Sequence, residues 1–180
     1  MRHRTWRFIV LAAIIFIVLQ QGYLRANPAV KNLLIRELQA SIAASILNVL
    51  MPSERIYVSG GELSGLHGLV NIKNGCEGFE VILILASVTL AYPLRWSWKL
   101  AGLLLGSFIL YATNLARIVS LYFIAAHRQA WFDIAHGLVW QIIMIGVTMG
   151  LFMLTIWLDQ RASPSESSVH SPELRGDSSG

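Results

Sequence analysis

The chain has 180 residues, of which 55% are apolar and only 13% charged, against roughly 25% charged in soluble domains. With a mean hydropathy of +0.58, this excludes an ordinary soluble domain and suits one compact membrane domain. The net charge of +4 does not point to nucleic acid. The basic residues lie at the ends of apolar runs, where they anchor and orient spans.

Arg2, Arg4 and Arg7 precede an unbroken apolar run from Phe8 to Leu19 that continues less strictly to Leu24. A basic start before a short apolar core also fits a signal peptide. Leu24-Arg25-Ala26 makes a poor small-x-small cleavage site, so the expectation is an uncleaved anchor over about 8–24 with its N-terminus inside. Asn27-Pro28 stops that helix. From 29 to 51 the pattern is amphipathic: Leu33, Leu34, Leu38, Ile42, Ile46, Val49 and Leu50 take one side, and Lys31, Arg36, Glu37, Gln39 and Asn48 mainly the other. The charge in its first half suits a helix lying on the membrane surface or against the bundle better than a span.

Pro52 ends this helix, and Ser53 to Asn74 reads as a glycine-punctuated loop in which Arg55–Val58 and Leu69–Lys73 form short paired strands. Further spans are expected at about 79–94, 100–126 and 138–158. A tight basic, aromatic turn (Arg95 to Lys99) and a short polar loop (His127 to Gly137) join them. Residues 159–180, rich in Ser and Pro, read as a disordered cytoplasmic tail. Trp6, Trp96, Trp98 and Trp157 stand near span ends, as interfacial anchors do. The fold class is therefore all-α, a polytopic bundle of about four transmembrane helices plus one amphipathic helix.

Basic residues divide almost evenly between the faces. Seven fall inside (Arg2, Arg4, Arg7, Arg95, Lys99, Arg161, Arg175) and six outside (Arg25, Lys31, Arg36, Arg55, Lys73, Arg128), with Arg117 in the membrane. Parity is more informative. Cys76 precedes a span, the basic turn follows it and the next span returns, so Cys76 and the 127–137 loop share a face. With four spans and both termini inside, that face is extracytoplasmic.

Cys76, the only cysteine, stands in Asn74-Gly75-Cys76-Glu77-Gly78-Phe79-Glu80. An unpaired thiol between two glycines is suited to nucleophilic work, because Gly75 and Gly78 would let a substrate backbone approach the sulfur. Glu77 and Glu80, as acids beside a thiol, would tend to raise its pKa. Arg117 lies about nine residues before the expected end of its span, roughly 12–14 Å below the membrane surface at ~1.5 Å per residue. Ser107, Tyr111, Asn114 and Arg117 are four, three and three apart, a polar stripe on one face of an apolar helix. His136 precedes the last span on the same face as Cys76, and His67 and His127 also lie on that face. A thiolate, a guanidinium and an imidazole are the parts of acyl transfer through a thioester: nucleophile, oxyanion or carbonyl partner, and proton shuttle. One Cys and one His without ligand spacing make a poor metal set, and nothing suggests a metal, nucleotide or redox cofactor.

With Cys76 in Asn74-x-Cys76-x-Gly78, Asn114-x-x-Arg117 in a span and His136 before a final span, the chain resembles the exosortase/archaeosortase family over about residues 55–158. These are polytopic membrane transpeptidases thought to use a Cys, an Arg and a His in that order. The resemblance implies Cys76 as nucleophile, Arg117 as oxyanion or carbonyl partner and His136 as acid/base, with Asn114, Gly78 and Tyr111 binding substrate or supporting the site. It also implies no cofactor, and exported substrates bearing a C-terminal motif, a hydrophobic helix and a basic cluster. Many members have around eight spans, so this chain looks like a short, core-only member of the kind paired with IPTLxxWG-type signals, in a bacterial inner membrane. The competing reading is a non-enzymatic membrane subunit whose Arg117 pairs with a partner helix.

Overall fold

The structure is a computed structural model that describes residues 2–27, 37–71 and 78–162. Cys76 with Asn74, Gly75 and Glu77, the first half of the expected amphipathic helix, and the tail beyond residue 162 lie outside the described residues. The chain is mostly helical. Its elements are α1 (Arg2–Arg25), α2 (Leu38–Leu50), β1 (Tyr57–Ser59), β2 (Glu62–Ser64), β3 (Leu69–Asn71), α3 (Phe79–Ala91), α4 (Trp96–His127) and α5 (Trp140–Arg161).

Three helices are long and apolar enough to cross a membrane: Thr5–Arg25, Trp96–His127 and Gln129–Arg161. The expected span at 79–94 is a helix of 13 residues, about 20 Å long and short of the ~30 Å hydrocarbon core. It ends because Pro93 forces Tyr92 out of the helical region, to φ −79° and ψ 143°. The chain then turns and α4 starts at Trp96, so most of the expected basic turn forms the first helical turn.

α1, α3, α4 and α5 run up and down. At one end Phe8 of α1 packs edge-on to Tyr92 and stacks on Phe152 of α5. At the other, Tyr23 of α1 stacks on Phe79, the first residue of α3. Val81, Leu85, Leu110, Met144 and Phe152 form the core between α3, α4 and α5. Three hydroxyls inside these helices are satisfied along their own backbones: Ser87 donates to Leu83 O, Thr148 to Met144 O and Thr155 to Leu151 O, which removes the cost of placing them among apolar neighbours. Trp6, Trp96 and Trp157 are exposed at the Phe8–Tyr92 end. There Lys99 Nζ lies 5.1 Å over the Trp96 ring and the Arg161 guanidinium 3.8 Å over Trp157, a cation and aromatic belt suited to an interface.

The last helix departs from expectation at both ends. Residues 127–137, expected as a polar loop, are helical almost throughout: a 3-10 turn at Gln129–Trp131, an α turn at Phe132–Ile134 and a π turn at Ala135–Val139 lead straight into α5. The segment contains no proline to stop it, and Phe132 packs against the apolar core under α2 and the sheet. At the far end α5 reaches Arg161, so residues 159–161 are ordered helix and not tail. The Arg95 guanidinium accounts for this. It donates to Asp159 Oδ1 at 2.7 Å, Asp159 O at 3.2 Å and Ala162 O at 3.2 Å, satisfying carbonyls that a helix end otherwise leaves open.

α2 and the sheet sit on the C-terminal half of α4. The strands form an antiparallel meander in the order β1-β2-β3. The two strands expected from the sequence are both present, but they flank a central strand instead of pairing with each other, with Val58 opposite Leu63 and Leu63 opposite Val70. The small sheet qualifies the all-α class. Alternation turns Leu63 and Val70 into a core shared with Ala40, Ala43, Ala44 and Leu47 of α2 and Ile118 and Tyr122 of α4. Asn48 pins the chain after α2 by donating to Ile56 O and accepting from Ile56 N, both at 2.8 Å.

α2 is turned around relative to its apparent amphipathicity. Gln39, Ala40, Ala43, Ala44 and Leu47 are buried, whereas Leu38, Ile46, Val49 and Leu50 are exposed. Small residues allow the close approach to α4, and the large apolar ones face outward, as suits a helix bordered by lipid.

Candidate active site

The site is built on α4. Asn114 and Arg117 are one helical turn apart on its inner face and are 1% and 4% exposed, so the polar stripe does point inward. It is graded: Ser107 and Tyr111, lower on the same stripe, are only half-buried. Among the described residues the buried Tyr111 hydroxyl has no hydrogen-bond partner.

Two elements close over Asn114. From α2, Gln39 Oε1 accepts a hydrogen bond from Asn114 Nδ2 at 3.2 Å, with Gln39 itself 4% exposed. The sequence pattern had placed Gln39 on the solvent side. It belongs to the site because the alanine face of α2, with Gln39 beside it, is the one that packs inward. From α3, Gly78 caps the helix at φ +68° with its bare Cα against Asn114; a methyl group there would lie 2.6 Å from Asn114 Cγ. Gly78 is therefore needed for a left-handed cap and for the approach of Asn114. What fills the space beside it is Asn114, not an open path for a substrate backbone.

His136 is half-buried within the π turn Ala135–Val139, a distortion common where a helix carries a functional side chain. Its ring stacks parallel to Phe132 at 5.7 Å. The charges that act on it are Arg117 and Asp133, which puts the imidazole within electrostatic reach of the buried guanidinium. Thus Gly78, Asn114, Arg117 and His136 gather at one end of the bundle. His127 lies apart, exposed and stacked on Phe123.

A second polar cluster lies further along α4 and is absent from the sequence reading. Glu54, in the 3-10 turn Pro52–Glu54, is 5% exposed. Its Oε1 stands 2.7 Å from His67 Nδ1, and its Oε2 accepts from the His67 backbone N–H at 3.1 Å and from the Tyr122 hydroxyl at 3.2 Å. The hydrogen bond from the His67 side chain is the main reason the Glu54 carboxyl is held below its ordinary 4.5, against the opposing effect of burial. The partners are 13 and 68 residues apart, beyond any local pattern. The available signal was the pair Gly65 and Gly68 around His67. A methyl at residue 65 would collide with Tyr122 Oη, and one at residue 68 would press on the Tyr122 ring at 3.2 Å.

Fold and site together have the make-up of a multi-helix membrane protein with a buried polar centre at one end of its bundle. Comparison with known protein families, with curated proteins and with solved structures finds no match in any of the three.

Proposed function

We propose that the chain is a membrane cysteine transpeptidase or protease of the exosortase/archaeosortase kind, embedded in a bacterial inner membrane with its site at the extracytoplasmic face. The observation that carries this reading is the burial of Arg117 beside Asn114, with Gly78 packed on Asn114 and His136 within the field of the guanidinium. Cys76 is two residues before Gly78, and two residues of chain span at most about 7 Å. A thiolate attacking a peptide carbonyl there would find a guanidinium for the developing oxyanion and an imidazole to protonate the leaving amine.

Helix lengths support a site near the water boundary. Lys99 Nζ, which donates to Leu90 O at 2.8 Å, belongs to the belt at the opposite end. Arg117 stands 18 residues further along, about 27 Å of rise, so a ~30 Å hydrocarbon core brings Arg117 close to the far boundary instead of 12–14 Å beneath it. In this reading the short α3 serves as the fourth crossing, with its start recessed beside the site.

The competing reading, a subunit whose Arg117 pairs with a partner helix, is weakened by the burial of Arg117 within its own chain. The test is co-expression with an exported, tagged reporter ending in a short motif, an apolar helix and a basic cluster. Cys76→Ala should abolish reporter cleavage while the protein still inserts; unchanged cleavage would end the proposal. A membrane-impermeant thiol reagent should label Cys76 in intact spheroplasts. Labelling that needs permeabilisation would invert the orientation.

A further inference from the structure

One side of α4 changes character half-way along. Leu100, Leu104, Ser107, Tyr111, Ile118 and Tyr122 follow one another at helical spacings of four, three, four, seven and four, so they lie along that side. Ile118 and Tyr122 are buried in the core beneath α2 and the sheet. Towards the start of the helix the cover stops: Leu104 is 74% exposed, and Leu100 is exposed too. Tyr111 stands at the step between the two, with its ring half-buried and its hydroxyl buried. Ser87, Thr113, Ser120, Thr148 and Thr155 each donate to a carbonyl of their own helix. A phenol carries its oxygen at the far end of a rigid ring, past its own backbone, and needs an acceptor on another segment. Among the described residues Tyr111 has none. It lies six residues before Arg117, about 9 Å of rise deeper in the membrane. Acyl chains offer no acceptor there, and an unmet hydroxyl is costly. Phenylalanine would fill the same place without that cost.

We infer that Tyr111 binds substrate: its hydroxyl donates to a main-chain carbonyl just downstream of the scissile bond, and the bare side of α4 through Leu104 and Leu100 seats the apolar helix that follows. This rests on the reading of Arg117 as the carbonyl partner. A polypeptide is the occupant because extended backbone carries an open carbonyl at every residue, whereas lipid keeps its carbonyls at the headgroup boundary. The segment that reaches Tyr111 is therefore not yet helical. At ~3.3 Å per extended residue, 9 Å of rise corresponds to about three residues past the cut. The substrate helix starts from there and runs beside α4 from Tyr111 to Leu100, about 16 Å of rise.

Photo-crosslinking tests the seat apart from the chemistry. The full-length Cys76→Ala chain, co-expressed with the tagged reporter, carries p-benzoylphenylalanine in place of Leu104. Irradiation should capture the uncut reporter. The same probe in place of Ile145, which is exposed on α5, should not. No capture from 104, capture there of a second copy of this chain, or equal capture from both positions overturns the assignment. Tyr111→Phe tests the hydroxyl. Removing an unmet polar group should leave the melting temperature of the detergent-solubilised protein unchanged or raised. The crosslink from 104 and, with Cys76 in place, the initial rate of reporter cleavage should fall about five- to tenfold, the worth of one hydrogen bond. A lowered melting temperature would mean that the hydroxyl serves the fold, and an unchanged cleavage rate that it does not touch substrate; either result ends the proposal. Cleavage that persists in Cys76→Ala sinks the enzyme reading instead, a separate outcome from the pattern of capture.

Discussion

Asn114 lies against the bare Cα of Gly78, so close that a methyl group at residue 78 would sit 2.6 Å from Asn114 Cγ. That contact joins the start of α3 to the polar stripe of α4. Gly78→Ala meets both a φ of +68° and this collision, and should destabilise the protein by about 1–3 kcal/mol. Thermal unfolding of the detergent-solubilised protein measures it. Adding Asn114→Ser should recover only part, because the backbone strain remains.

The buried guanidinium offers a fork that an ammonium cannot reproduce. Arg117→Lys keeps a positive charge on α4, yet reporter cleavage should fall by at least about 100-fold, the scale of losing an oxyanion donor. A quantitative immunoblot of cut and uncut reporter reads this directly. Near-normal cleavage in the lysine variant would remove Arg117 from the chemistry.

Gly65 faces the Tyr122 hydroxyl with no room for a side chain. Gly65→Ala should therefore break the Glu54 cluster and cost about 1–3 kcal/mol by overpacking. Tyr122→Phe deletes the colliding oxygen, so the double variant should be more stable than Gly65→Ala alone. A melting series of the single and double variants tests the contact.

Glu54 makes stability depend on pH. Its folded value lies below 4.5, chiefly through the hydrogen bond with His67, so the folded state favours the ionised carboxyl more than the unfolded chain does. The resulting stabilisation is complete above the unfolded value and is lost as pH falls through the lowered one. The melting temperature of Glu54→Gln should sit below that of the parent at pH 7, and the gap should narrow on acidification below 4.5. A gap that is constant between pH 7 and pH 3 would show that the carboxylate charge contributes nothing.

Much of this protein can be read without coordinates, because its signals are local. Unbroken apolar runs specify helices for a membrane, and the spacing of Asn114 and Arg117 puts both on one helical face. Boundaries were less legible. Arg95 extends α5 to Arg161 through partners 64 and 67 residues away, and His136 falls in a helical turn because Phe132 packs into a distant core.

Only tertiary packing decided which face of α2 is inside. Hydrophobicity alone favours Leu38, Ile46, Val49 and Leu50 for the interior, but a helix bordered by lipid can expose them and bring alanines and Gln39 against α4 instead. The same holds for Glu54, His67 and Tyr122. Each is an isolated polar residue in the sequence, and only the antiparallel meander folding back over α4 brings a carboxylate, an imidazole and a phenol within hydrogen-bond distance. Sequence determined the helices and the polar stripe, since those depend on near neighbours. Tertiary structure decided what meets that stripe, since burial of polar groups is settled between segments far apart in the chain.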